Sequence, residues 1–217
     1  MLLSIDTCGP LGTVALARLT SDDPEILGQT EIPGKTWSAQ LIPAIRELLT
    51  HHNATVSQIA TIVVTNGPGS FTGIRIGLST AKGLAEAHAI PILAVSRLAV
   101  LAHKAQTSAA AVDASRHEFY FGDYFRPTPE ESLLTPDHFK QRANPLAQTL
   151  AVCEESVHSL APAATLVAPP TAADALRYAL PRLRARAFDD PTTLDGNYLR
   201  RSDAEIFSKP KMHPAQP

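Results

Sequence analysis

Hydrophobic and polar positions change period several times along the first half of the chain, and each change predicts an element. Leu2 to Thr7 is a short apolar run broken by Cys8-Gly9-Pro10-Leu11-Gly12, a cluster of turn-forming residues. Thr13 to Leu19 resumes the apolar run, Ser21 to Pro24 turns the chain, and Glu25 to Ile32 continues as a further strand. Short turns between these strands predict an antiparallel meander. Leu41, Ile42, Ile45, Leu48 and Leu49 then fall on one helical stripe, which predicts a helix capped by Ser38 with Pro43 in its early turns. Ile59 to Thr65 is apolar on both faces and reads as a buried parallel strand. Asn66-Gly67-Pro68-Gly69 breaks it, and Ser70 is placed to cap a helix running to about His88. Ile90 to Val95 predicts another buried strand and Arg97 to Ala105 another helix.

The second half repeats this order more faintly. Ala109 to Ala114 and Glu118 to Phe125 predict paired strands around Ser115-Arg116-His117, with a third short strand near Ser132 to Leu134 and a helix from Pro136 to Arg142. A strand is expected at Ala164 to Ala168, a long helix from Ala172 to about Ala187, and a last helix at Ser202 to Ser208. Three strands, helix, strand, helix, strand, helix is the repeat of a ribonuclease-H-like unit. The predicted fold class is therefore α/β, with two ribonuclease-H-like halves of the actin-like (ASKHA) kind, each a mixed sheet with flanking helices. The halves are expected at residues 1–106 and 107–205, with a break near Gln106 to Ser108 and a frayed tail over 206–217.

Composition narrows the classes. With 44% hydrophobic and 18% charged residues, the 217-residue chain has material for a core and too few charges for a disordered one. A net charge of −2 argues against a domain devoted to gripping a phosphate backbone. The end is locally basic (Arg177, Arg182, Arg184, Arg186, Arg200, Arg201, Lys209, Lys211), which suits either a solvated helix face or a weak or indirect tRNA contact. No export signal or membrane span is predicted, so the expected location is cytoplasmic and Cys8 and Cys153 are expected to be buried or partly buried thiols.

The most informative segment is Thr65-Asn66-Gly67-Pro68-Gly69-Ser70-Phe71-Thr72-Gly73-Ile74-Arg75-Ile76-Gly77. A glycine-rich strand-to-helix turn can aim N–H groups at an anion, which makes Gly67, Gly69 and Ser70 candidates for a phosphate turn. The spacing is neither a Walker loop nor a dinucleotide fingerprint, and the same glycines can serve turn geometry alone. Gly73, Gly77 and Gly83 lie inside the helix, each costing about 0.8–1.0 kcal/mol relative to alanine, so close packing is needed to offset them. Ile74, Leu78, Ala81 and Ala85 form an adjacent stripe suited to the sheet. The small-residue face left over suggests a contact with a partner protein.

The run Gly67 to Gly77 with Ala81-Lys82-Gly83-Leu84 closely resembles the TsaB (YeaZ) family, as do Ile5-Asp6-Thr7 and Ser38-Ala39-Gln40-Leu41-Ile42-Pro43. The resemblance covers residues 1–105 strongly and the rest faintly. Trp37 departs from the family's usual His, Ser115 stands for an Arg, and Asn197-Tyr198-Leu199-Arg200 lacks the family's Pro. The resemblance implies a non-catalytic subunit that forms homodimers alone and pairs through its first-half helices with a TsaD-like catalytic subunit. It also implies recruitment of a TsaE-like ATPase, and threonylcarbamoyladenosine beside the tRNA anticodon as the product. An interface is thus expected over Trp37, Leu41, Ile45, Phe71, Gly73, Ile76, Gly77, Thr80 and Leu84.

No catalytic residue, cofactor or metal is expected. Among the eight histidines no two stand four apart and no HExxH occurs. Asp6 suits a turn, or a metal–nucleotide as in actin-like kinases. The alternative function is an independent actin-like ATP-dependent kinase or acyl-group transferase.

Overall fold

The computed structural model describes residues 1–20, 23–126 and 128–200. The predicted helix at 202–208 and the tail lie outside the described residues. The first half runs β1 (Leu2–Asp6), β2 (Leu11–Arg18), β3 (Glu25–Pro33), α1 (Trp37–His51), β4 (Thr61–Thr65), α2 (Phe71–His88), β5 (Ile92–Val95) and α3 (Arg97–Ala105). The second runs β6 (Ala109–Asp113), β7 (Phe119–Asp123), β8 (Glu130–Leu134), α4 (Pro136–Ala143), β9 (Leu150–Val152), α5 (Glu155–His158), β10 (Thr165–Leu166) and α6 (Ala172–Arg184).

Both sheets have five strands and one topology. The first is ordered β3-β2-β1-β4-β5 and the second β10-β9-β6-β7-β8, the same order read from the other edge. In each, the meander pairs antiparallel and the later strands join in parallel. This is the α/β architecture of two ribonuclease-H-like halves.

The period-two alternation of the first sheet sorts its residues between two cores. Leu3, Ile5, Val14, Leu16, Ile62 and Val64 meet α1 and α2, whereas Leu2, Ala15, Ala17, Val63 and Leu93 meet α6. The α6 face is Ala172, Ala175, Leu176 and Ala179, all fully buried, and these small side chains let the helix lie close to the sheet. In return Leu98, Leu101 and Ala102 of α3 pack on β6 and β9 of the second sheet. The turn at Gln106–Ser108 separates the two halves in sequence, but each lends the other a helix. Lys104 Nζ bonds Asp174 Oδ2 at 2.8 Å and ties α3 to α6.

Several local expectations need correction. Helix α1 begins at Trp37, so Ser38 sits within its first turn and does not cap it; Thr36 is the N-cap, and its hydroxyl donates back to Pro33 O at 2.7 Å. The expected strand at 164–168 shrinks to β10, and α6 stops at Arg184 rather than Ala187, where Arg186 turns left-handed (φ 51°). The cap assigned to α2 holds: Ser70 Oγ accepts from Gly73 N–H at 3.2 Å.

Candidate functional site: the cleft between the sheets

The turns after β1 and β6 are built alike. Asp6 ends β1, is 3% exposed, and its Oδ1 accepts from Cys8 N–H at 2.9 Å. Asp113 ends β6, and its Oδ1 accepts from Ser115 N–H at 2.6 Å. Each carboxylate closes a tight turn onto its own backbone. Burial raises the Asp6 pKa, with Arg97 and the Cys8 bonds working against it. Residues Cys8–Pro10 of one turn and Asp113–Arg116 of the other line a cleft of about 1300 Å³, which Asp6 itself does not line.

Both cysteines are buried free thiols. The Cys8 thiol donates to Thr65 O at 3.2 Å, and burial, reinforced by Asp6, pushes its pKa well above the ordinary value. Burial and then Glu154 push Cys153 up to about 12.

The glycine-rich turn is occupied largely by the chain itself. Gly67 has a φ of +115°, and a Cβ there would lie 2.9 Å from Asn197 O. A Cβ on Gly69 would run into the Cys8 carbonyl, and Ser70 N–H already donates to Cys8 O at 2.9 Å. Of the phosphate-turn candidates, Gly69 and Ser70 line the cleft and Gly67 does not. Gly67 instead receives a strap: Asn197 N–H donates to Asn66 O at 2.7 Å, and Asn66 Nδ2 donates to Asp195 O at 3.2 Å.

The expected interface residues divide into two groups. Gly73 and Gly77 do not face outward: a Cβ on either would strike Thr7, and Thr7 Oγ1 donates to Gly73 O at 2.6 Å. These glycines let α2 descend onto the end of β1 within the chain. Trp37, Leu41 and Ile45 are likewise buried in the first core, at 6%, 1% and 3% exposure, so the folded chain cannot offer them as surface. Phe71, Ile76, Thr80 and Leu84 are half-buried on α2. Beside them Gly83 is exposed, and a Cβ added there would meet nothing within 4 Å, while Ile42 of α1 is 54% exposed. Of the expected interface, these four half-buried α2 residues are what stays partly open to solvent.

Sequence reasoning did not find the contacts that hold the 195–200 strap to both halves, nor the burial of Arg97 at the cleft. Phe71 stacks on Tyr198 with centroids 5.1 Å apart, and the Arg75 guanidinium lies 5.6 and 5.7 Å from the two rings. Glu131 of β8 accepts from Ser96 Oγ, Tyr124 OH and Asn197 Nδ2, joining both halves to the strap. Arg97, at the start of α3, is 4% exposed and reaches the cleft floor. An Arg directly after an apolar strand reads as a solvated helix start, so only its position before a run of apolar residues could have hinted at burial. The basic end is mostly engaged: Arg177 pairs with Asp23 and Asp174, Arg182 with Asp189, and Arg200 with Glu118. Arg201, Lys209 and Lys211 lie outside the described residues. Among the described residues no cluster of His, Cys, Asp and Glu suits a metal ion, and no helix is long and apolar enough to cross a membrane.

Residues 29–160 match the family model described as TsaD: tRNA N6-adenosine threonylcarbamoyltransferase. The chain is similar to proteins named tRNA threonylcarbamoyladenosine biosynthesis protein TsaB. The Haemophilus influenzae protein is 32% identical over 131 residues, covering 58% of this chain and 54% of that protein. The Bacillus subtilis protein is 37% identical over 127 residues, covering 57% and 54%. The chain thus spans about half the length of these two curated relatives. Among solved structures, YeaZ from Pseudomonas aeruginosa superposes with a TM-score of 0.74 at 27% identity, over 91% of this chain and 99% of that one.

Proposed function

This chain belongs to the family described as TsaD: tRNA N6-adenosine threonylcarbamoyltransferase, and we propose that within it the chain is a non-catalytic scaffold and activating subunit. It pairs with a TsaD-like catalytic subunit for threonylcarbamoyl transfer to adenosine beside the tRNA anticodon, as the TsaB names of its relatives suggest. The observation that carries this reading is the exposed stripe on the α1–α2 pair. Ile42 of α1 stands 54% exposed, and on α2 Ile76, Thr80, Leu84 and the open Gly83 share one partly open, small and apolar face that a partner helix can cover. The glycine turn supports the same reading, because its Ser70 N–H is already given to Cys8 O.

The partner contact uses this stripe and not the buried Gly73 and Gly77. In its absence two copies of the chain pair through the same surface, two-fold symmetry being the commonest arrangement. A TsaE-like ATPase joins the assembled pair, and tRNA contact by this chain is indirect. Sedimentation of the chain with a TsaD-like protein tests the pairing. The wild type co-sediments, and an Ile42→Glu variant with an unchanged melting temperature does not. Equal co-sedimentation of both would place the contact elsewhere.

The open cleft favours a second reading, an independent actin-like ATP-dependent kinase or acyl-group transferase. Calorimetry with Mg-ATP separates the two: the scaffold reading expects no saturable heat, the enzyme reading expects binding.

A further inference from the structure

Both helices that carry the exposed stripe begin at the mouth of the cleft. On α1, Ser38 lines the cleft, and Ile42, 54% exposed, stands one turn further along the same side of the helix. On α2, Thr72 and Ile76 line the cleft, and Thr80 and Leu84 follow at the same spacing. The partly open apolar face and the cleft therefore run into one another, and Ile76 belongs to both.

The cleft end of that surface is basic. Lys35, Arg75, Arg97, Arg116 and Arg200 line it against two acids, Asp113 and Glu154, in a chain whose net charge is −2. Arg97 is buried and Arg200 is half-buried on Ser115 O and Glu118, but Lys35, Arg75 and Arg116 are exposed. The acids are less available. Asp113 Oδ1 accepts from the Ser115 N–H of its own turn, and Glu154 Oε2 is buried. Lys35 and Arg116 also stand on left-handed backbone (φ 69° and 57°) that glycine would occupy at less cost, a pattern that gathers at ligand clamps. An apolar centre with a charged edge is the anatomy of a protein interface, the edge steering the partner and fixing its register. A phosphate backbone would use the cations and leave Ile42 and Ile76 uncovered, so a protein is the better fit.

We propose that the partner contact continues from the α1–α2 stripe into the mouth of the cleft, where Lys35, Arg75 and Arg116 receive aspartate or glutamate side chains of the catalytic subunit. This rests on the pairing with a TsaD-like subunit and adds the chemistry of the partner's surface: an apolar helix face flanked by an acidic segment.

Binding of the full chain to a TsaD-like protein, measured by calorimetry at about 50 and about 500 mM salt, tests this. The wild type should bind about tenfold more weakly at the higher salt. Lys35→Glu combined with Arg116→Glu, with the fold checked by circular dichroism, should weaken binding at least about tenfold at the lower salt and much less at the higher. Lys35→Gln alone, which leaves the Arg116 turn untouched, should fall between the wild type and the double variant. Lys140→Glu, exposed on α4 and outside the cleft lining, should bind as the wild type does. If Ile42→Glu abolishes pairing while salt and the cleft variants change affinity by less than about twofold, the basic extension is overturned and the pairing stands. If the wild type does not bind the partner at either salt, both are overturned. Binding of tRNA by the chain alone that the double variant weakens about tenfold, with partner affinity unchanged, would assign these cations to phosphate and overturn the proposal equally.

Discussion

Two glycines on one helix should respond to the same substitution with opposite signs. At Gly73 an added Cβ runs into the Thr7 carbonyl oxygen, with Thr7 C at 3.0 Å and the Trp37 ring at 3.1 Å. Backbone and a ring held at 6% exposure cannot swing aside as the tip of a flexible side chain can. The first turn of α2 must therefore lift from β1 in Gly73→Ala. Overpacking of that kind costs about 1–3 kcal/mol. The 2.6 Å bond from Thr7 Oγ1 to Gly73 O goes with it, worth about 1 kcal/mol. Alanine returns about 1 kcal/mol of helix propensity, leaving a net destabilisation of about 1–3 kcal/mol. Gly83 faces open space, with nothing within 4 Å, so Gly83→Ala keeps the propensity gain of up to about 1 kcal/mol. For a chain of 217 residues each kcal/mol moves the melting temperature by about 2–4 °C. Urea denaturation and thermal melts of both variants should show Gly73→Ala falling and Gly83→Ala rising. A Gly73→Ala protein as stable as the wild type, or a destabilised Gly83→Ala, would refute the placement of these faces.

Other outcomes follow from buried titratable groups. The Asp6 pKa is raised by burial, so as pH rises past about 3.9 the unfolded chain ionises first and folding stability declines until the folded carboxyl ionises too. Asp6→Asn should remove that decline, measured as denaturation midpoints across acidic pH; an identical slope in both proteins would contradict it. Cys8 and Cys153, both buried with raised pKa values, should resist alkylation by iodoacetamide at pH 8 in the native chain and react in denaturant. Rapid native labelling of either thiol would count against their burial.

How much of this was legible depended on whether a signal was local. The strands of the first half could be read because each apolar run is bounded by turn residues, and Ser70 could be read as a cap because its hydroxyl sits three residues before the N–H it accepts. β9 could not, since Leu150-Ala151-Val152 is too short to show alternation. The exchange of α3 and α6 between sheets was hidden for another reason: an alanine-lined helix face records that something lies close, not which sheet it is. The same ambiguity governed Gly73 and Gly77. Their need for close approach was plain, but the approaching group is Thr7, directly after the chain's own first strand, not a partner's helix. Arg97 and Glu154, far apart in sequence and with no shared motif, come to line one cleft because α3 packs on β6 and β9.

The proposed role is to enable a catalytic partner rather than to catalyse alone. It is tested most directly by reconstituting tRNA modification from purified components and measuring threonylcarbamoyladenosine by mass spectrometry with this chain present or omitted. The account predicts product when a TsaD-like subunit and this chain are combined with the ATPase and an activated threonylcarbamoyl donor, and none from this chain without the TsaD-like subunit. Product from this chain in the absence of that subunit, or equal product whether or not this chain is added, would contradict it.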